Sequence, residues 1–261
     1  MRITIATWNI NSVRLRADMV ARFLREEAPD ILCLQETKCP ADKVPAELFA
    51  TLGYEHLHAR GDKGYNGVAI LSRVPLEAEA HGVFGGKPEA RHVAARLPGG
   101  ATLHNFYVPA GGDVPDPETN PKFRHKLDFV AEMAEWGGRL DGPQILVGDL
   151  NIAPLETDVW SHRQLLKVVS HTPVEVEALG RAQAAGGWRD VTRAHIPPEE
   201  KLFSWWSYRA RDWAASDRGR RLDHIWARDV ADVPGSSRVL KPWRGAEKPS
   251  AALLGGGGER G

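Results

Sequence analysis

Along this chain, short apolar runs repeatedly end in polar residues. Ile3–Trp8 alternates like a strand and stops at Asn9. Ile31–Leu34 reads as a buried strand that delivers Gln35, Glu36 and Lys38 at its end. Thr102–Val108 carries Tyr107, and Leu222–Ala227 carries Asp223. The run at 145–147 stops at Gly148 and Asp149, with Asn151 two residues on and Pro154 closing the turn. Further strands are predicted over Tyr54–His58, Gly67–Leu71, His92–Leu97, Phe203–Ser207 and Ser237–Leu240, separated by Gly- and Pro-rich turns. Val13, Ala17, Val20 and Leu24 fall on one helical face, with Ser12 as the N-cap and Pro29 ending the unit. Other helices are predicted over Pro45–Leu52, Lys122–Trp136 and 160–185, the last broken near Pro173, with a Pro/Gly/Asp loop at 109–121.

Strands outnumber helices and do not alternate strictly with them, which predicts an α/β protein of two packed sheets with helices outside. No composition break or repeat divides the chain, so residues 1–250 read as one domain. Residues 251–261 contain four consecutive glycines and read as a flexible tail outside it. With 42% hydrophobic and 26% charged residues, the chain has ordinary globular composition. A formal net charge of +0 gives no overall field toward polyanions, so nucleic-acid binding would need a local patch. Cys33 reads as core and Cys39 as a loop residue, which fits a reducing compartment. No apolar stretch approaches the roughly 18–20 residues of a membrane span. The first residues already read as a strand rather than a signal peptide, so a cytoplasmic protein is expected.

Asn9, Glu36, Tyr107, Asp149, Asn151 and Asp223 therefore lie at or just beyond strand ends. Glu36 and Asp149 are hard oxygen ligands suited to Mg²⁺ or Mn²⁺. Zinc spacing, a phosphate-binding P-loop and a serine-nucleophile motif are all absent from the sequence. Singly, each residue has a structural alternative: Asn9 as a helix cap, Asp149 as an Asx-turn residue, Tyr107 as a half-buried strand aromatic. Together they favour a site. Between Tyr208 and Arg221, five arginines stand against two aspartates, a local excess of +3. Trp205, Trp206, Tyr208 and Trp213 interleave with them as stacking surfaces, although Trp213 reads better as core.

Several motifs resemble those of the exonuclease III family of DNA-repair nucleases, close to the AP endonucleases. They are Trp8-Asn-Ile-Asn-Ser-Val-Arg14, Leu34-Gln-Glu-Thr-Lys38, Asn66-Gly-Val-Ala-Ile70, Asn105-Phe-Tyr-Val-Pro109 and Gly148-Asp-Leu-Asn-Ile-Ala-Pro154. Phe203-Ser-Trp-Trp-Ser-Tyr-Arg209, Arg221-Leu-Asp-His-Ile225 and Glu247-Lys-Pro-Ser250 continue the series in order. The resemblance implies a DNase I-like four-layer αββα sandwich of two mixed sheets. It implies a monomer acting on double-stranded DNA at abasic sites, nicks or 3′ ends. In that scheme Glu36 holds the divalent metal with Asn9, and Asp149 and Asn151 complete that end of the site. Asp149 also activates water, Asn151 and Tyr107 contact the phosphate, and Asp223 supports from behind. Trp205 and Trp206 would wall a pocket for an extruded abasic sugar. Lys38, Asn66, Arg91, Lys122 and Arg209 are implied DNA contacts.

The family continues Lys-Pro-Ser with Asp-His and then an apolar strand, whereas here Ala251-Ala252 and the glycines follow. Strand alternation points His224 away from Asp223's face, and His104 is an odd step from Tyr107, so neither is expected to substitute. The expectation is a crippled nuclease without its last strand, whose ending reads as a truncated or out-of-frame gene end. The alternatives are a non-cleaving binder of abasic or nicked DNA, or a phosphoesterase acting on lipid or inositol phosphates. The Arg/Trp segment argues for DNA.

Overall fold

The computed structural model describes residues 2–207, 212–232, 237–245 and 253–259. Its strands are β1 (Ile3–Asn9), β2 (Ile31–Gln35), β3 (His56–Arg60), β4 (Val68–Ser72), β5 (Glu77–Glu79), β6 (His92–Arg96), β7 (Thr102–Tyr107) and β8 (Gln144–Asp149). They continue with β9 (Arg189–Asp190), β10 (Trp205–Trp206), β11 (Gly219–Arg220), β12 (Asp223–Arg228), β13 (Ala231–Asp232), β14 (Arg238–Leu240) and β15 (Leu253–Glu259). The helices are α1 (Ala17–Glu26), α2 (Ala46–Ala50), α3 (Pro121–Gly138), α4 (His162–Leu165), α5 (Pro173–Ala185), α6 (Val191–His195) and α7 (Trp213–Ser216).

One sheet runs β13-β15-β1-β2-β4-β3, with β14 also paired to β15, and the other runs β5-β6-β7-β8-β12-β9. Both are mixed, because β1–β2 and β7–β8 are parallel within otherwise antiparallel ladders. Period-2 alternation sorts each strand into two faces. Ile3, Ile5, Ile31, Cys33, Val68 and Ile70 meet Val93, Leu103, Ile145, Val147 and Ile225 between the sheets. The opposite face of the first sheet packs Trp8 and Leu34 against Val20, Phe23 and Leu24 of α1. The outer face of the second packs Phe106, Leu146 and Trp226 against α3 and α5. Asn120 caps α3 by accepting from Lys122 N–H, with Pro121 at its first turn. The expected four-layer sandwich is the observed one.

Two expectations fail. Ser12 does not cap α1: Ser12 and Val13 N–H donate to the carbonyls of Glu36 and Thr37, so this stretch is tied to the end of β2 and the helix begins at Ala17. The glycine-rich stretch is not an irregular tail. Leu253–Glu259 is β15, antiparallel to β1 with Ile3 opposite Gly258 and Thr7 opposite Leu254. The first sheet therefore continues past residue 250. The flank of β1 would otherwise present a row of unpaired N–H and C=O groups. A glycine run can fill that row with backbone alone, at an entropic cost of roughly 0.5–1 kcal/mol per glycine relative to alanine. Ala251, Ala252 and Arg209 lie outside the described residues.

Candidate active site

Alternation also builds the site. Asn9, Tyr107, Asp149 and Asp223 share the parity of the core residues between the sheets, so all four face inward at one end of the sandwich. In the second sheet Tyr107 is opposite Asp149, and Asp149 is opposite Asp223, a single row across three strands. In the first sheet Asn9 pairs with Gln35, which hands the chain to Glu36. Glu36 (φ +53°), Lys38 (φ +54°) and Asn151 (φ +54°) adopt the left-handed region, a strain that the surrounding hydrogen bonds must hold. Only glycine fits at 148, where a Cβ would lie 2.0 Å from the Phe106 carbonyl oxygen. That close approach aligns the Asp149 turn beside Tyr107.

Asn9, Glu36, Tyr107, Asp149 and Asn151 line a recess of about 580 Å³ together with Lys38, Trp205 and Arg220. Asn9 is its central link. Its Nδ2 donates to Glu36 Oε1 and to Asp149 Oδ2, each at 2.8 Å. Its Oδ1 accepts from Asn11 N–H at 3.2 Å. Asn9 is a bridge between two carboxylates here. Lys38 Nζ lies 2.9 Å from Glu36 Oε2. Burial raises the Glu36 carboxyl, but hydrogen bonds from Lys38 and Asn9 and the Lys38 charge leave it below its ordinary value. Asp149 is pushed up to about 7, first by burial and then by the Glu36 charge, against a bond from Asn9. Asp223 is raised well above the carboxylate range by burial and by Asp149, only partly offset by Ser204 and Arg221. Neither Asp223 oxygen has a hydrogen-bond partner among the described residues. Burial and the charges of Glu36 and Asp149 keep the Tyr107 phenol protonated, hence a donor.

Asn151 donates from Nδ2 to the Val108 carbonyl at 2.9 Å, and its N–H donates to Asp149 Oδ1 at 3.0 Å. Beneath it lies a pair that sequence reasoning missed. Lys126 Nζ, fully buried, binds Glu175 and donates to the Asn151 carbonyl at 2.8 Å. Glu175 accepts in turn from Ser170 and Thr172 N–H. The only sequence signal was the helix start Thr172-Pro-Val-Glu175, which has the spacing of a capping box. Gln35 and Asn105 were also missed. Gln35 Nε2 donates to Thr7 Oγ1 and Asn105 Oδ1 at 2.9 and 2.7 Å, pinning the sheets together below the recess.

The implied DNA contacts divide. Lys38 and Trp205 line the recess, and Lys122 lines an adjoining groove that shares Gly112 and Asp113 with it. Arg91 is spent on shaping the site: its guanidinium lies 4.8 Å from the Tyr107 ring centroid and it pairs with Glu89. Asn66 is buried off the recess wall, where its backbone carbonyl accepts from Lys38 N–H at 2.9 Å. Trp206 is not a pocket wall, because it is buried against Phe203 and its Nε1 donates to Asp217 at 3.0 Å. Within the arginine run, Arg221 is a fully buried partner of Asp158 and Asp190, and Arg218 covers the Trp160 ring. As expected, His224 points away, toward the Ile152 carbonyl, and His104 binds Gln144.

A low-lying and a raised carboxylate joined by one amide, with a neutral phenol beside them, suit hydrolysis of a phosphate ester: one end for a hard cation, one for water activation. Comparison with known proteins agrees. The model of the Endonuclease/Exonuclease/phosphatase family matches residues 6–250, and the chain belongs to that family. It is 29% identical to exodeoxyribonuclease III of Haemophilus influenzae, covering 94% of this chain and 95% of that protein. It is 30% identical to the DNA repair nuclease APEX1 of Danio rerio, covering 85% of this chain and 71% of that protein. Among solved structures, the 3′ phosphatase NExo from Neisseria, bound to a product DNA hairpin, superposes with a TM-score of 0.88 at 30% identity, covering 99% of this chain and 100% of that one. An AP endonuclease from Archaeoglobus fulgidus gives 0.87 at 32% identity, covering 97% and 98%. The relatives are hydrolytic nucleases of DNA repair, as the motifs implied.

Proposed function

We propose that this protein hydrolyses phosphodiester bonds of double-stranded DNA at abasic sites and at 3′ ends, using a divalent cation, Mg²⁺ or Mn²⁺, at a rate lowered by Ala251-Ala252 standing where the family's motif continues with Asp-His. The observation that carries the proposal is the Asn9 amide, which donates to both Glu36 and Asp149, one carboxyl held below its ordinary value and the other raised above it. Glu36 and waters would hold the cation, which when bound polarises the phosphate and supports the leaving oxygen. The residues do the rest. Asp149 orients a water and takes its proton, Asn9 keeps the two carboxylates in register, and Tyr107 and Asn151 offer neutral hydrogen bonds to phosphate oxygens. Trp205 and Leu222 supply an apolar wall for the sugar. The test is cleavage of an abasic duplex and of a recessed 3′ end by the purified full chain in Mg²⁺. Loss of both activities in EDTA is expected, and no cleavage in either Mg²⁺ or Mn²⁺ would overturn the reading.

A second reading, a binder of abasic or nicked DNA that does not cut, draws on Ala251-Ala252, which stand where the family's motif continues with Asp-His. Tight binding in EDTA with no turnover in Mg²⁺ would select it.

A further inference from the structure

The fully buried ion pair behind the recess is not used by the proposed chemistry. Lys126 Nζ has three protons and three acceptors: Glu175, the Asn151 carbonyl at 2.8 Å and the Ala110 carbonyl at 3.3 Å. Glu175 accepts from Ser170 N–H on both oxygens at 3.0 Å, and from the N–H and hydroxyl of Thr172. Ala110, Asn151 and Ser170 belong to three separate segments of the chain, and all three line the recess. The pair, on α3 and α5, ties those segments together from behind.

Part of what it grips is strained backbone. Asn151 has φ +54° and Ser170 has φ +91°, both in the left-handed region that side chains disfavour. Lys126 takes the carbonyl of the first, and Glu175 takes the N–H of the second. The third segment lies directly on the lysine stem: a Cβ at Gly111 (φ +89°) would stand 2.9 Å from Lys126 Cδ. Well-packed hydrophobic residues are often as stable as a buried ion pair, or more so. They would remove the donor from the Asn151 and Ala110 carbonyls, however, and the acceptor from Ser170 N–H. Stability alone therefore does not account for a charged pair here, whereas its hydrogen bonds to the recess segments do.

Asn151 is where this bears on the reaction. Its N–H donates to Asp149 Oδ1 at 3.0 Å, and its side chain donates to the Val108 carbonyl at 2.9 Å. The backbone that Lys126 fixes thus carries both the Asn151 amide and the turn that presents Asp149. We propose that the Lys126–Glu175 pair is a positioning device for hydrolysis, holding the Asn151 and Ser170 backbones so that Asn151 and Asp149 meet the phosphate and the water in register. The pair touches no substrate. The proposal rests on the phosphodiester reading above.

The test separates rate from binding. Lys126→Met with Glu175→Gln, in the full chain, removes the pair without stranding either charge. Single-turnover cleavage of an abasic duplex in Mg²⁺ should slow by about 10²-fold, the size of a misplacement of about 1 Å. Affinity for that duplex in EDTA should stay within threefold, which also shows that the variant is folded. Added to Asn151→Ala, the same double change should slow cleavage far less than it slows the parent, because both act through Asn151. Glu175→Gln alone keeps every Lys126 donor and should slow cleavage about five- to tenfold, the size of one weakened buried hydrogen bond. If the double variant fails to bind, this single variant decides. A rate within threefold of the parent, an equal fall in rate and affinity, or losses that multiply in full with Asn151→Ala would overturn the positioning role. No cleavage by the parent chain in Mg²⁺ or Mn²⁺ would overturn the phosphodiester reading itself.

Discussion

Asp149 and Asp223 stand directly opposite one another in the antiparallel ladder of β8 and β12, and both carboxyl groups are buried. Two such groups cannot both ionise cheaply, so the pair holds a proton near neutrality and titrates as a unit. Both are raised above their unfolded values. Their ionisation therefore costs stability as pH rises, and the cost vanishes as pH falls toward the unfolded carboxylate value. Asp223→Asn should raise urea resistance at pH 8 by on the order of 1–2 kcal/mol, shrinking toward zero near pH 4. Equal effects at the two pH values would count against this account.

Asn9 makes a sharper catalytic prediction. Asn9→Ala removes the donor shared by Glu36 and Asp149 but no charge. Single-turnover cleavage of an abasic duplex should slow by about 10²–10³-fold. DNA affinity in EDTA should stay within a few-fold. A rate within threefold of the parent would remove Asn9 from the mechanism.

Glu36 should govern the cation. Glu36→Gln removes one negative charge and weakens the Lys38 pair. The Mg²⁺ concentration for half-maximal cleavage should rise at least about tenfold, as expected when a hard-ion site loses its carboxylate. An unchanged Mg²⁺ titration would place the cation elsewhere.

The buried Lys126–Glu175 pair is a stability prediction. Lys126→Met strands the Glu175 charge in the core and should cost about 3–5 kcal/mol in thermal or urea unfolding. Adding Glu175→Gln should recover part of that loss, because the two groups act as one unit. Strict additivity of the two losses would contradict the pairing seen here.

Acid should act through a buried histidine chain. Gly82 N–H donates to His92 Nδ1, His92 Nε2 meets His104 Nδ1 at 3.1 Å, and His104 Nε2 meets Gln144 Oε1 at 2.8 Å. With Gly82 as the first donor, one set of neutral tautomers satisfies every link, and a further proton sets two donors face to face. Burial lowers His104 to about 4, and His92 lies well below its ordinary value. Between pH 6.5 and about 4 the unfolded chain binds protons that the folded chain refuses, so stability falls with pH across that window. The His104 share is about 3 kcal/mol. The Asp149–Asp223 pair works in the opposite direction, so the measurement is a difference. His104→Gln should flatten the pH dependence of unfolding between pH 6.5 and 4.5 relative to the parent.

What the sequence showed depended on whether a residue's role follows from local pattern. Asn9, Tyr107, Asp149 and Asp223 were legible because alternation along a strand fixes which face a residue takes, and one end of an apolar run marks the rim of a sheet. Glu36 and Asn151 followed from the turns just beyond. Trp206 and Arg221 were misread because composition cannot tell an exposed arginine-tryptophan patch from one folded inward; the fold decides it, through Asp217 inside the segment for Trp206 and through the distant Asp158 and Asp190 for Arg221. Lys126 and Glu175 were invisible for the same reason: they are 49 residues apart and meet only when α3 packs on α5. The glycine run was misjudged because its strand character comes from the vacancy beside β1 and not from its own residues.

That last strand has an effect of its own. Gly255–Gly258 lie along Ile3–Ala6 without any side chain to choose between faces. In most strands a slip of one residue turns the apolar set to water, which locks the pairing. Here a shift along β1 would exchange glycine for glycine over much of the ladder. The strip behaves as an interchangeable length of backbone, able to keep β1 covered in more than one alignment, and its amides should exchange with solvent well before those of β2 on the other side.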